Sequence, residues 1–497
     1  MPAEDAIRMD NLVPTPYGCS TRKGYRLHAS GLGTNVNTIV GNVSATGGVT
    51  LFAAADDVVW NVTNPAAPVT VVTGASSSYW QHVNFANSAG THLVLFNGND
   101  SPVHYNSTSG VNRLIAGDGT DPYTWSGIDP SRIIQGVVHQ RRIWGVEKDS
   151  TMGWFLPPDS IYGVANFFDF GPHFKRGGYL VALGTWSADM GAGSDDQLVA
   201  ISSEGEAAVF GGIDVANAAT WALRGVYYVG APPAGRRFLG NIAGDLLIIT
   251  RVGIVSMATV LTSTTVSVTS NTTYSKKIQF LLNDLLSSVA QFPGWELQFF
   301  PTQNLLYINV PSIYSGGNGQ LVSNYVNTSW CTFSGMNALC WALVDDVQYF
   351  GAPDGKIYIG WSGYRDDQNA DGTGGRDIVA ACQQAYTTFG ASAAQKQVGL
   401  YRPTFVSVEP IANYTQLTYD YRPTNEVIPS AVPEQAGSYW NAAIWDAALW
   451  GGGLQTWLDW RTSPGIGQAV SLTLVLSSDR EINWISTDYT YKTGGPL

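Results

Sequence analysis

The chain is poor in charge. Its 497 residues include 26 Lys plus Arg and 38 Asp plus Glu, so charged side chains make up 13%, about half the usual share for a soluble domain. The balance of −12 opposes a broad grip on a polyanion and excludes a general nucleic-acid-binding role. Cysteine is scarce too: Cys19, Cys331, Cys340 and Cys382 have no C-x-x-C spacing, which argues against a disulfide framework or a zinc site and reads as free thiols. No apolar run reaches the length of a membrane span, and MPAEDAIRMDN is too charged for a secretory leader. The expectation is a soluble chain made without export and without stable membrane insertion. Phosphate-loop, nucleophile-elbow and zinc-helix motifs are missing, and the six histidines are scattered singly. No catalytic residue, metal ligand or cofactor is expected.

What is abundant is glycine, at 55 residues, with 17 tryptophans and 24 tyrosines. One pattern recurs: a short apolar run, a Gly/Asp/Asn turn, and a second apolar or aromatic run. It occupies 49–63, 91–108, 141–157, 196–212, 244–257, 304–326 and 346–361. Such pairs are β-hairpin signals, and their recurrence at about 40–60 residues is the period of propeller blades. The sequence therefore predicts an all-β chain with a β-propeller of about six or seven blades; two ordinary β-sandwiches are the alternative. SKKIQFLLNDLLSSVAQ (275–291) places Ile278, Leu281, Leu282, Leu285 and Val289 on one stripe and predicts a single helix in an insertion near 259–293. The organisation expected is an N-terminal arm and first strand (1–40), a propeller (41–365) and an accessory β region (366–497).

Four local features compete for function. Asp367, Asn369, Asp371 and Gly372 match the first half of a calcium loop, but position 12 is Ile378 and no helix pattern flanks it, which leaves an ordinary turn as the alternative. Ser477–Trp484 partly resembles the sialidase S-x-D-x-G-x-T-W turn, with Glu481 and Asn483 in place of Gly and Thr; Asp195, Asp196, Glu204 and Glu206 cluster near a hairpin turn. Near the start, PTPYGCSTRKGYRLHA gathers Arg22, Lys23, Tyr25 and Arg26, a candidate docking element, with a ring-closing strand as the plain alternative. Trp440, Trp445 and Trp450, spaced by five, fit neither helical nor strand period and are either local core or interface anchors.

Taken with HQRRIWGV (139–146), the segment 167–230 containing SEGEAAVFGG and TWALRGVYYVG, and GDLLIITRVGIVSM, the early Pro14, Gly18, Arg22, Gly24, Tyr25 pattern resembles the tail nozzle (tail tube, or stabilisation) proteins of short-tailed bacteriophages. The tryptophan-rich end closing on Gly494-Gly495 belongs to the same likeness. The resemblance implies a propeller with accessory domains, a homo-hexamer beneath the portal and adaptor rings, attachment of tail fibres or spikes, and passage of double-stranded DNA. It also implies a virion tail location after assembly in the bacterial cytoplasm. Duplex DNA carries a phosphate about every 1.7 Å, so an acidic conduit releases it rather than binding it. A glycan- or receptor-binding tail component and a glycan-degrading propeller enzyme are the alternative functions.

Overall fold

The structure, a computed structural model, describes residues 5–187, 196–212, 214–215, 220–242, 244–262, 273–311, 319–422, 427–429 and 453–496. The chain is all-β, with a β-propeller, accessory C-terminal strands and, among the described residues, one substantial helix. It divides into two units: His28–Gly319 with Asn337–Tyr358, and Met1–Leu27 with Gln320–Met336 and Ile359–Leu497.

In the first unit, consecutive runs of chain fold into antiparallel meanders. The first holds Val36–Val43, Val49–Ala55, Val58–Asn61 and Val69–Val72; the second Gln81–Asn87, Gly90–Phe96, Val103–Asn106 and Gly110–Arg113. The third is Ile133–His139, Arg142–Glu147, Met152–Phe155 and Asn166–Asp169, and the fourth Leu180–Trp186, Gln197–Ser202, Glu206–Gly212 and Trp221–Tyr228. A three-stranded fifth sheet uses Leu239–Ile242, Asp245–Thr250 and Gly253–Ser256. The sixth runs Cys340–Val344, Val347–Gly351, Ile357–Ile359 and then Arg26–Ala29, so a strand from near the N-terminus completes the last blade and closes the ring. The hairpin Glu296–Phe300 with Leu305–Val310 adds a further inner strand to the axial wall.

In all seven expected hairpins the two strands are hydrogen-bonded neighbours. The turn expected within 304–326 falls at 312–318, outside the described residues.

The best-covered strands of these sheets are buried on both faces and lose the polar alternation that Gln81–Asn87 keeps, while outer strands such as Trp221–Tyr228 stay largely exposed. Val36–Val43 is buried at every position but the last. The contacts pass from blade to blade: Val40, Phe52 and Val59 meet Leu93, Leu95 and Val103, while Val83, Val94 and Phe96 meet Ile133 and Ile143. Ile134, Trp144 and Phe155 meet Leu183, Leu198 and Phe210, and Val36, Ile39 and Leu51 meet Cys340, Ala342 and Val344. Where inner strands converge, side chains must be small: a Cβ on Gly136 would stand 2.7 Å from Val83 and 2.8 Å from Phe96.

The helix is Gln279–Val289, preceded by a six-residue turn of helix at Met257–Thr262. Its buried residues are Leu282, Leu286 and Val289. Leu281, expected on that stripe, is exposed, as is Phe280. The buried stripe follows i, i+4, i+7 from Leu282, which is narrower than the expected face.

The second unit is a two-layer β structure. One sheet orders Ser329–Phe333, Ala6–Asp10, Arg376–Gln384, Val470–Ser478 and Ala412–Tyr419; the other orders Leu12–Thr15, Gly18–Thr21, Ile482–Pro496, Ala394–Ser407 and Gln455–Leu458. Their inner faces share one core, with Leu12, Cys382, Val398, Phe405, Leu417, Leu472, Leu474, Leu476, Ile482 and Trp484. The four cysteines are free thiols.

Candidate functional site: the axial channel

The inner strands of the propeller enclose a polar-lined cavity of about 490 Å³. Its wall includes His82 from the second meander, Gln135 from the third, Arg237 beside the fifth, Glu296 from the added hairpin and Trp341 from the sixth. These polar groups are mostly cross-ties. Gln135 reads the backbone of the next blade at both ends of its amide: Nε2 donates to the Leu183 carbonyl and Oε1 accepts from the Leu183 N–H, each at 2.9 Å. Arg237 reaches the first meander, donating to the Asn37 carbonyl at 3.0 Å and to Thr38 Oγ1 at 2.8 Å, and also donates to the Trp80 carbonyl at 2.9 Å. Glu296 Oε2 accepts from the Trp341 N–H at 3.0 Å and stands 3.6 Å from Arg237.

Burial raises the proton affinity of Glu296, opposed by the Arg237 charge and the Trp341 bond. His82 faces the channel, and desolvation followed by the charge of Arg237 pulls its pKa down to about 4. An acid shifted up and a base shifted down in one cavity are the raw material of acid–base chemistry. Here the carboxylate is already committed to Trp341 and Arg237. Among the described residues no group of three His, Cys, Asp or Glu side chains could hold a metal ion.

The basic knot at 22–26 is not a free arm. Arg22 is fully buried and forks onto Asp366, Nη1 to Oδ1 and Nη2 to Oδ2 each at 2.7 Å. Its Nε donates to Asn11 Oδ1 and its Nη2 to the Ser334 carbonyl, both at 2.7 Å. The expectation of Arg22 as a docking charge is therefore corrected: a guanidinium whose fork is saturated inside the fold has nothing left for a partner. Tyr25 is buried, and its hydroxyl donates to the Gly335 carbonyl at 3.0 Å. Lys23 and Arg26 are half-buried; Lys23 Nζ lies 5.9 Å from the Tyr364 ring centre and Arg26 Nη1 donates to the Ala370 carbonyl at 3.3 Å. Trp440, Trp445 and Trp450 lie outside the described residues.

At the calcium-like loop, Asp371 Oδ1 accepts from the Thr373 N–H at 2.9 Å and from Thr373 Oγ1 at 2.6 Å, the bonding of an ordinary Asx turn. In the sialidase-like turn, Arg480 pairs with Asp479 and Glu409. Glu206 accepts from the Arg176 N–H at 2.7 Å, and Glu204 is exposed; Asp195 lies outside the described residues. Arg237 and Glu296 carry almost no signal in the sequence. The one hint is the Arg236-Arg237 doublet just ahead of the strand Leu239–Ile242.

No family model and no curated protein matches the chain. Solved structures similar to it include the computationally designed Ika8 protein, at 12% identity and TM-score 0.38, covering 72% of this chain and 97% of that one. The β-propeller domain of Cps50 (Swd1) from Myceliophteria thermophila is 9% identical with TM-score 0.40, covering 66% and 97%. A Bacteroides fragilis NCTC 9343 protein provisionally assigned as a 6-phosphogluconolactonase is 13% identical with TM-score 0.37, covering 69% and 90%. At these scores the likenesses carry no functional argument.

Proposed function

We propose that the chain is a structural subunit of a short-tailed phage tail nozzle: a homo-hexamer that extends the DNA channel below the adaptor ring, supports fibres or spikes, and performs no catalysis. The observation that carries this reading is that four of the five residues of the early nozzle-like pattern have a physical task in the fold that depends on their side chain or its absence. The Pro14 carbonyl accepts from Asn324 Nδ2 at 2.8 Å. A Cβ on Gly18 would lie 2.2 Å from the Trp484 carbonyl oxygen, and one on Gly24 would lie 1.8 Å from that of Arg365. Arg22 and Tyr25 are buried and bonded as described. The Pro14 bond uses a backbone carbonyl that any residue supplies, but Gly18, Arg22, Gly24 and Tyr25 are each held by residue-specific geometry, and a pattern so constrained is a fold signature rather than a chance run of turn residues. The net charge of −12 adds support, since an acidic conduit does not hold DNA by counterion release.

Electron microscopy of virions labelled with antibody against the chain tests the proposal. Label on a six-fold ring at the tail is expected, and virions whose tails carry none overturn it. Glycan cleavage by the purified chain that disappears in Glu296→Gln would separately overturn the non-catalytic part.

A further inference from the structure

Two adjacent arginines at one mouth of the axial channel are used in opposite ways. Arg237 spends its fork on Asn37, Thr38 and Trp80 and faces Glu296. Arg236 makes one hydrogen bond, from Nη1 to the Gly235 carbonyl at 3.2 Å, and has no carboxylate within ion-pair distance among the described residues. Burial works against its charge, offset in part by Tyr179 and Asp149. A half-buried guanidinium with most donors unanswered is an incomplete pair.

The surroundings supply what a ligand needs. A second cavity of about 290 Å³ opens at this mouth, lined by Arg236 and Arg237 with Tyr79, Gln81, Lys148 and Asp149. The Tyr79 hydroxyl and the Gln81 side-chain amide make no hydrogen bond among the described residues. Lys148 is exposed on the rim, donating to Asn99 Oδ1 at 2.7 Å. Two acids oppose them: Asp149, exposed on the rim, and Glu296, whose carboxylate is already bonded. The cavity is near the lower end of small-molecule sites, roughly 300 Å³. It has room for one charged group and the ring that bears it, not for a polymer.

We propose that this mouth binds a compact oxyanion, a phosphate or carboxylate on a small polar molecule, with Arg236 as its forked contact, Lys148 adding charge and Tyr79 and Gln81 orienting it. The site does not depend on the tail reading.

Calorimetric titration and melting of the full chain, with inorganic phosphate and with glucuronate in separate arms, test it. Binding of at least one probe is expected. Arg236→Gln should weaken it about tenfold or more, the loss of a charge-assisted fork, while the melting temperature without ligand stays put. Asp149→Asn should tighten binding by removing the opposing charge. Phosphate alone identifies a phosphorylated ligand, and glucuronate alone a carboxylated one. Binding of neither probe, or undiminished binding by Arg236→Gln, overturns the proposal. If Arg236→Gln does not fold, weakening by Lys148→Gln together with tightening by Asp149→Asn supports it, and no change in either overturns it.

Discussion

The two units solve the problem of covering a sheet in different ways. In the propeller the first five meanders are each made of neighbouring sequence and pack apolar faces on the next, so most of their contacts are short-range along the chain; the sixth, completed by Arg26–Ala29, is the exception that closes the ring. In the accessory unit, strands from the first 21 residues pair with strands beyond residue 320 and beyond residue 480, and a fully buried ion pair joins Arg22 to Asp366. Locality lets a repeated pattern build itself. Distant strands brought side by side need specific partners, and here buried polar groups help to provide them.

Breaking that ion pair should have the largest effect. Arg22→Ala leaves Asp366 uncompensated in the interior and strands Asn11 and the Ser334 carbonyl, so a loss of about 3–5 kcal/mol is expected. Denaturant unfolding followed separately in the two units should show the accessory transition moving while the propeller holds. Adding Asp366→Ala should recover part of the loss, because the orphaned charge is gone. A single mutant that costs less than about 1 kcal/mol would mean that the pair is solvated.

The same contrast explains what could be read from sequence. Blades were legible because each hairpin carries its own evidence, an apolar run and a turn within twenty residues, as at 141–157 and 196–212. Arg22 looked like surface charge because its partner lies 344 residues away, and spacing says nothing across that distance. Arg237 and Glu296 were invisible for a related reason: three distant blade edges meet around them only once the ring has closed. Within the expected arm and first strand (1–40), Ala6–Asp10 is flanked by Ser329–Phe333 and Arg376–Gln384, partners too distant in sequence to be read from it.

Acid should separate the units next. All six histidines fall within the propeller unit. His139 is buried with both ring nitrogens lacking a hydrogen bond among the described residues, and burial lowers its pKa from 6.5 to about 4. His104, buried and bonded through Nε2 to His92 Nδ1 at 2.9 Å, is likewise lowered to about 4 by burial and then by His92. A folded pKa below the unfolded one means that the stabilisation is complete above pH 6.5 and is lost as pH falls toward 4. His139 alone accounts for up to about 3 kcal/mol over that window. The propeller midpoint should therefore fall between pH 6.5 and 4, and His139→Phe should flatten the slope. An unchanged slope in that variant would place the acid sensitivity elsewhere.

Crowding the propeller axis should cost less. Gly136→Val pushes new atoms against Val83 and Phe96 where two blades meet, and overpacking of this kind costs about 1–3 kcal/mol. The loss should appear in the propeller transition alone. Equal loss in both transitions would show that the units do not unfold independently.

The smallest effect sharpens the comparison within a single dipeptide. Lys23 follows Arg22 in sequence, but it is half-buried, and its ammonium lies 5.9 Å from the Tyr364 ring centre. A cation over an aromatic face at a partly exposed site contributes about 0.5–1 kcal/mol, so Lys23→Ala should barely move the accessory transition. Of the four residues expected to dock a partner near the N-terminus, Arg22 and Tyr25 are occupied inside the fold, which leaves Lys23 and Arg26 to test that role. If these two meet an acidic neighbour on assembly, Lys23→Ala with Arg26→Ala should keep the melting temperature within a few degrees and reduce incorporation into tails. Normal incorporation by the double variant would confine the basic knot to an internal role, with Arg22 as its one energetically important charge.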